Sequence, residues 1–207
     1  MNLAAVDSKD WIRWGQHPAS ALVDHGRPCC REAKNWFLSM ARSFDFSITE
    51  NQRRGGTRWL NARYKWGPNP WPLAWCEAIH RQEFDCGVFA AVAREIFKAR
   101  GLESYGGQVI LRVDPHATSH FQKQWSQNQQ GFNWIGRGFV YHEIVIVESG
   151  REALLYDATE ATWLKPESID SFESPIAVRS EAHRALNWGS FTLYPDQWCE
   201  LSEGTRK

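Results

Sequence analysis

The sequence has no excess of charge of either sign and no long apolar run. Its 207 residues include 24 Lys and Arg and 24 Asp and Glu, so the formal net charge is zero. Proteins that bind nucleic acids or anionic membranes carry a basic surface, and this balance argues against both classes. No apolar stretch approaches the roughly 20 residues that a membrane-spanning helix needs. We therefore expect neither a nucleic acid nor a membrane as a partner.

Cysteine is scarce, and the start of the chain has no signal-peptide pattern. The five cysteines lie at positions 29, 30, 76, 86 and 199, an odd number at spacings that do not form a disulfide framework. The first residues contain neither a basic start nor a long apolar segment. We expect a cytoplasmic protein with reduced thiols. The length fits a single domain over residues 1–207.

Apolar spacing predicts two helices in the first half of the chain. Residues 33–44 present one apolar face at helical intervals. Residues 86–100 are more apolar, with Asp85 before them as a good N-cap and Gly101 after them as a good helix end. Residues 50–58, between these helices, are predicted to be a loop.

The second half of the chain has the composition and alternation of strands. Strands are predicted at residues 107–113, 139–147, 152–157, 176–179 and 190–194. The prolines of residues 66–72 exclude a helix or a central strand there. Residues 114–138, which are Gln-rich over 121–138, are predicted to be a long loop or lid. Helices followed by antiparallel strands indicate an α+β fold.

Cys86 is the first candidate for chemistry. It lies at the predicted start of the second helix, where unpaired backbone N–H groups and the helix dipole favour an anion. Such a position lowers the pKa of a thiol, and the same N–H groups can stabilise an oxyanion on a substrate that the sulfur attacks. The alternative interpretation is a cysteine that serves only as a small buried apolar residue.

The predicted hairpin supplies an imidazole and a carboxylate. With Ser149 and Gly150 as its two-residue turn, His142 lies directly opposite Asp157 and on the same face of the sheet. A carboxylate there would fix the tautomer of the imidazole and stabilise its charged form. With Cys86 as nucleophile and His142 as proton shuttle, the set suits thiol acyl transfer. An ordinary cross-strand polar pair is the alternative.

Residues 86–101 resemble the nucleophile helix of the transglutaminase-like superfamily. In that pattern Phe and Ala follow the catalytic Cys at three and four residues, as Phe89 and Ala90 do here. The pattern then has a basic residue, Ala and Gly at the helix end, and these match Lys98, Ala99 and Gly101. The family's His opens a strand, similar to residues 142–147, and its Asp stands in an Asp-Pro-Thr-like motif, similar to residues 157–159.

The resemblance implies a papain-like fold in which the nucleophile helix packs on an antiparallel sheet. It covers residues 84–159, the implied catalytic core, and leaves residues 1–60 as a mostly helical extension. It implies an acyl-thioester on Cys86, with no cofactor and no metal. Family members take a side-chain oxyanion donor from upstream of the Cys, and Gln82 and Trp75 are the candidates here.

The substrate and the acyl acceptor remain open. An amide, a peptide or an acyl-thioester, free or carrier-bound, fits the chemistry. Water as acceptor would make the protein an amidase, peptidase or glutamine deamidase, and an amine would make it an acyltransferase. The apolar strand after His142 also resembles the arylamine N-acetyltransferases, which implies an acyl-CoA or carrier-bound donor. A third alternative is an inactive binding module that uses the Trp-rich residues 59–75, which also indicate an aromatic-walled cleft.

Other cysteines and histidines give weaker signals. Cys30, beside Cys29, is a second candidate nucleophile near the first helix. Cys76 and His80 have helical i, i+4 spacing but no second pair to complete a tetrahedral metal site. A possible set of metal ligands consists of Asp114, His116 and His120. These residues lie in a proline-containing segment and are better explained as surface residues.

Overall fold

The structure is a computed structural model of the chain. It describes residues 22–42, 50–67, 69, 72–112, 135–136, 139–166 and 175–201. The helices among these residues are α1 (Pro28–Arg42), α2 (Glu50–Arg63), α3 (Trp75–Ala78) and α4 (Cys86–Ala99). The first strands are β1 (Leu22–Val23), β2 (Lys65–Trp66), β3 (Leu73–Ala74), β4 (Glu83–Phe84), β5 (Ser104–Arg112), β6 (Ile135–Gly136) and β7 (Phe139–Ser149). The later strands are β8 (Glu152–Asp157), β9 (Thr162–Leu164), β10 (Pro175–Ser180), β11 (Leu186–Trp188), β12 (Phe191–Leu193) and β13 (Trp198–Glu200).

The second half of the described chain forms one curled sheet. Its strand order is β12-β11-β8-β7-β5-β10-β13, with β6 paired to β7 and β9 paired to β8. The pairings are antiparallel except for β11, which runs parallel to β8. A bridge between Ser180 and Pro195 brings the chain after β12 back to the end of β10. Helices followed by this sheet confirm the mixed α+β class, and the sheet approaches a closed barrel. None of the described helices is long and apolar enough to span a membrane.

Strand β7 separates two apolar cores. Val145 and Val147 face the core that the sheet shares with the helices, whereas Ile144 and Ile146 face the core inside the curled sheet. Successive side chains of a strand point to opposite faces, so this alternation follows from the pleat. Because both faces are covered, the strand is apolar at almost every position, as expected for a buried central strand.

Helix α4 is the central helix of the fold. Ten of its fourteen residues are buried, and it packs against β5 and β7 on one side and against α1 and α2 on the other. Both predicted ends are confirmed. The Asp85 side chain accepts a hydrogen bond of 2.8 Å from the Val88 N–H, and Gly101 adopts a left-handed φ of 76° just beyond the helix.

Aromatic side chains fill the core between the helices. Phe37 of α1 is fully buried at its centre, and its ring lies close to those of Trp36, Trp59, Tyr64, Trp75 and Phe84. Tyr64 stacks on Phe84 at a centroid distance of 3.9 Å. Trp59 and Trp75, which the sequence indicated as walls of a cleft, therefore contribute to this aromatic core.

The predicted loop over residues 50–58 is wrong, because α2 covers all of it. Gly55 and Gly56 each lower the stability of a helix by about 1 kcal/mol relative to Ala, which favours a loop locally. Burial of Leu60 farther along the same helix contributes about 1.5–3 kcal/mol, and Thr57 is also fully buried. Tertiary packing therefore outweighs the local preference.

The hairpin between β7 and β8 has a different turn from the predicted one. Val145 pairs with Tyr156 and Ser149 pairs with Glu152, so the turn residues are Gly150 and Arg151 rather than Ser149 and Gly150. Gly150 has a φ of 67°, which suits glycine at the first turn position of a type II′ hairpin. The register consequently differs by two residues from the predicted one.

Part of the predicted loop lies outside the described residues. Of residues 114–138, only 135–136 are described, and they form β6 beside β7. The possible ligands Asp114, His116 and His120 lie outside the described residues. The prediction of irregular structure over residues 66–72 agrees with the described positions 67, 69 and 72, while Trp66 ends the short strand β2.

Substitution of Phe37 by Ala should destabilise the protein by about 3–5 kcal/mol, because it leaves a cavity at the centre of the aromatic core. Met40→Ala is the matched control, since Met40 lies one turn later on the same helix and is 40% exposed. That control should change the free energy of unfolding by less than about 0.5 kcal/mol. Urea unfolding of both variants checks the prediction, and equal effects would contradict the described packing of α1.

Candidate active site

Cys86 is held at the first turn of α4 by the residues just before it. The Asp85 carboxylate caps the helix, and the Asp85 N–H donates a hydrogen bond of 2.6 Å to the side-chain oxygen of Asn69. The Asn69 amide in turn donates to the Glu83 carbonyl at 2.9 Å. Asn69 thus binds the chain on both sides of Phe84 and fixes the approach to the helix. The Cys86 residue itself is 7% exposed.

His142 and Asp157 come together although the predicted register is wrong. A shift of two residues is one full period of a strand, so both side chains keep the same face, but they become diagonal instead of directly opposite neighbours. Nε2 of His142 lies 3.0 Å from Oδ1 of Asp157. The ring N–H is not aimed at this oxygen, so the contact is a close ion pair rather than a linear hydrogen bond.

The Asp157 carboxylate is fixed by the turn that follows it. Its Oδ1 accepts hydrogen bonds from the N–H groups of Thr159 at 2.8 Å and Glu160 at 3.3 Å. Asn61 of α2 donates to the carbonyls of Ala158, at 3.2 Å, and Thr159. The helix that the sequence analysis missed therefore supports the turn that orients Asp157.

Cys86 and His142 are in contact, and each affects the ionisation of the other. Burial raises the pKa of the Cys86 thiol, and the hydrogen bond and charge of His142 oppose this effect. Burial lowers the pKa of His142, but the Asp157 charge and the contact with Cys86 outweigh it, so the pKa lies well above its ordinary value. Burial raises the pKa of Asp157, and the His142 charge reverses this and lowers it overall. Because Nε2 faces Asp157, Nδ1 is the ring nitrogen left for the thiol.

The expected lowering of the Cys86 pKa by the helix start is not what the structure has. The thiol is buried, and an ionised sulfur loses solvation there, which outweighs the hydrogen bond and the charge of His142. Among the causes that act on this pKa, His142 is the group that favours the thiolate.

A second buried carboxyl follows His142 on β7. Glu143 accepts hydrogen bonds from the Tyr141 hydroxyl and from the Gln108 amide, the latter at 3.4 Å, and Gln108 also accepts one of 3.0 Å from Arg179. Its other oxygen, Oε2, has no hydrogen-bond partner among the described residues. Burial raises the pKa of Glu143 to about 8. Glu143 is near enough to the site for its charge to raise the pKa of Cys86.

The candidate oxyanion donors have their described contacts elsewhere. Trp75 packs against Phe37, with the Lys34 ammonium 5.7 Å from its ring centroid. The side chain of Gln82 is exposed. The backbone carbonyl of the same residue accepts a hydrogen bond of 2.9 Å from the Lys65 N–H. Their role as oxyanion donors stays a prediction. The backbone N–H groups at the start of α4 lie beside Cys86, because Cys86 is the first residue of that helix.

Asn69, Asn61 and Glu143 are the residues around the site that sequence reasoning missed. Asn69 stands between two prolines, in a segment whose prolines exclude regular structure. An asparagine in such a place was a signal for a hydrogen bond from its side chain to the backbone, and the structure buries this residue. Asn61 gave no signal, because its segment was predicted in part as loop. Glu143, the one carboxyl within the predicted strand over residues 139–147, was visible in the sequence and suggests a buried polar group with a specific partner.

No protein-family model matches the chain, and no curated protein matches it either. What can be said of the site therefore rests on its geometry and chemistry.

Replacement of Glu143 by Gln should weaken the pH dependence of stability. The folded protein keeps this carboxyl protonated up to about pH 8, because its pKa is raised, whereas in the unfolded chain it ionises near its ordinary pKa of 4.5. Folding therefore takes up a proton between these values, and stability falls as the pH rises through this window. In Glu143→Gln the loss between pH 5 and pH 8 should be smaller by about 2–4 kcal/mol.

Urea unfolding at both pH values measures this effect. Glu152→Gln is the control, because Glu152 is an exposed carboxyl on the neighbouring strand β8. The slope that remains in Glu143→Gln comes from other groups with raised pKa values, among them His142 and Glu181, whose contributions to stability are also lost as the pH rises. An unchanged slope in Glu143→Gln would show that Glu143 is ionised in the folded state.

Proposed function

We propose that this protein is a cysteine-dependent acyl-transfer enzyme of the transglutaminase-like, papain-like type. Cys86 is the nucleophile, His142 the acid and base, and Asp157 the residue that orients and charges the imidazole. The observation that carries the proposal is the contact of a helix-start thiol with an imidazole whose Nε2 lies 3.0 Å from a buried carboxylate. Three groups from three separate elements converge in the order that thiol acyl transfer needs.

The first step of the proposed reaction forms an acyl-thioester. Nδ1 of His142 takes the proton from the Cys86 thiol, and the sulfur attacks the carbonyl carbon of the substrate. Negative charge develops on the carbonyl oxygen, where N–H groups at the start of α4, other than that of Val88, which donates to Asp85, can stabilise it. The imidazolium then gives its proton to the leaving amine or thiolate as the tetrahedral intermediate collapses.

The second step releases the acyl group. His142 takes a proton from water or from an amine, which attacks the thioester carbonyl, and Cys86 leaves as a thiolate that is reprotonated. Asp157 stays ionised throughout, because its pKa is lowered by the charge of His142 despite burial. Its charge stabilises the imidazolium that forms in both steps.

Burial of the site suits this chemistry. The His142 side chain is 12% exposed and that of Asp157 is 8% exposed, so the charges that develop are screened little by water. Because the pKa values of Cys86 and His142 are both raised, the reaction starts from molecules in which this pair has lost one proton, and neutral His142 then takes the remaining proton from the thiol. We propose an amide, a peptide or an acyl-thioester as the substrate.

An acyl-CoA-dependent transferase is the second candidate that the sequence raised. Its basis was the apolar strand after His142. Ile144 and Ile146 are completely buried inside the curled sheet, so core packing accounts for their apolar character. This strand therefore does not favour an acyl-CoA donor over an amide, and the choice of donor has to be tested directly.

Removal of His142 should slow alkylation of Cys86. Without the imidazole, burial alone governs the thiol, and its pKa rises further. We expect the iodoacetamide rate of Cys86 at pH 7 in His142→Ala to fall at least about tenfold, which corresponds to one pKa unit. Peptide mapping gives the rate for each cysteine, so Cys199, on β13, is an internal control.

His183→Ala is the matched control variant. The His183 ring contacts that of Tyr105 at a centroid distance of 5.4 Å, and its removal should leave the Cys86 rate unchanged. Equal Cys86 rates in wild type and in His142→Ala would contradict a functional Cys–His pair and would favour the binding module.

Acyl donors should form a covalent adduct on Cys86. Incubation with p-nitrophenyl acetate, a glutamine-containing peptide or acetyl-CoA, followed by mass spectrometry, identifies the donor class and the acylated residue. Cys86→Ser should lose the thioester, which hydroxylamine cleaves. Asp157→Asn should slow acylation by about 10²–10⁴-fold, because the amide does not stabilise the imidazolium.

The control for that variant is Asp196→Asn, since Asp196 is an exposed carboxylate that lies 3.4 Å from Arg179. Acylation by acetyl-CoA but not by esters or amides would favour the transferase alternative. Failure of every donor to acylate a Cys86 that alkylates normally would contradict an acyl-transfer function.

A further inference from the structure

The adjacent Cys29 and Cys30 meet the distant Cys76 where α1 packs against α3. Cys29 and Cys30 lie in the first turn of α1, and Cys76 lies in α3. Their three sulfur atoms are all within 4.8 Å of one another, and the Cys30 and Cys76 sulfurs are 3.2 Å apart. All three thiols are free. The proposed acyl-transfer mechanism uses none of them.

The surroundings hold this thiol cluster (Cys29, Cys30 and Cys76) in place and leave one side open. Cys30 is completely buried in the helical core, and Cys76 packs against that core. Cys29 is exposed and gives an ion access from solvent. The two helices are in extensive contact, and buried Phe37 and Trp75 pack together between them. The sulfurs are therefore presented by a rigid part of the fold.

We propose that Cys29, Cys30 and Cys76 bind a thiophilic d10 metal ion, with their three sulfurs as its protein ligands. Soft thiolates select Cu(I), Zn(II) and their chemical relatives such as Cd(II). At a metal–sulfur distance of about 2.3 Å, the three sulfurs of a trigonal site lie about 4 Å apart, which is inside the 4.8 Å limit. The Cys30 and Cys76 sulfurs, 3.2 Å apart without metal, would move apart slightly on binding. The described residues add no fourth His, Cys or carboxylate to this group. Such a set suits three-coordinate Cu(I), or Zn(II) or Cd(II) with a solvent molecule as fourth ligand.

The protonation of the cluster is consistent with a site for a cation. A hydrogen bond from the Cys76 backbone lowers the pKa of Cys30, whereas the contact with the Cys30 side chain raises the pKa of Cys76. Cys30 therefore loses its proton before Cys76, and two neighbouring thiolates would repel each other. A bound cation removes this repulsion between thiolates and displaces the remaining protons.

The experiment uses the full-length protein, reduced and kept free of oxygen. Cd(II) is titrated into it while the ultraviolet thiolate-to-cadmium charge-transfer band is recorded, and Cu(I) is then offered in competition with a chromophoric chelator. We expect one ion per chain. Cys29→Ser, Cys30→Ser and Cys76→Ser should each weaken binding at least about tenfold, as loss of a ligand does.

Cys199→Ser and Cys86→Ser are the matched controls, because neither thiol belongs to the cluster. Both variants should bind Cd(II) as the wild type does, and Cys86→Ser also separates this site from the proposed active site. If Cys30→Ser does not fold because its sulfur is buried, the exposed Cys29 and the partly exposed Cys76 still decide the outcome. Cd(II) should also raise the melting temperature of the wild type and of Cys199→Ser but not of Cys76→Ser.

Two results would overturn the proposal. One is binding that persists in all three cluster variants or disappears in Cys86→Ser. The other is a reduced protein that binds neither metal but forms a Cys30–Cys76 disulfide on exposure to air. In that second case the two sulfurs would be a dithiol pair oxidised by oxygen, and Cys29 would have no part in it.

Discussion

Burial of α4 between the curled sheet and the first two helices is the constraint on which the rest of the structure depends. This helix is enclosed on both sides, and ten of its residues are buried, so its position is set by apolar packing from two layers. Its first turn carries Cys86, so the packing of the core also holds the thiol in position. A nucleophile in such a place needs no flexible loop to position it, and its distance from β7 follows from helix-on-sheet packing.

The same burial creates an electrostatic problem that the partners of each group solve. Cys86, His142 and Asp157 are all poorly solvated, and each depends on the next for its ionisation. Asp157 remains charged because His142 and two backbone N–H groups stabilise it. Glu143 accepts hydrogen bonds from two neutral side chains, Tyr141 and Gln108, which do not offset its burial, and so it favours its neutral form. The pKa values of these two buried carboxyls differ because their partners differ, and not because one is more deeply buried than the other.

Much of the fold near the site could be predicted locally. The N-cap at Asp85, the left-handed Gly101 and the strands that carry His142 and Asp157 follow from short-range rules of helix ends and alternation. The shared face of His142 and Asp157 survived an error of two residues in register, because side chains on a strand repeat every two residues. An error of one residue would have separated the pair.

Local rules determined the types of elements and the faces of their residues, whereas contacts between distant segments required the tertiary structure. Helix α2 forms despite two adjacent glycines because burial of Leu60 outweighs their cost, and only then can Asn61 support the turn after Asp157. The pKa of Cys86 could not be inferred from its helix position, since burial depends on what packs around it. The meeting of Cys76 with Cys29 and Cys30 was likewise decided by the packing of α1 against α3. The spacing of apolar residues indicates the period of a helix or strand, but it does not indicate which surfaces pack together.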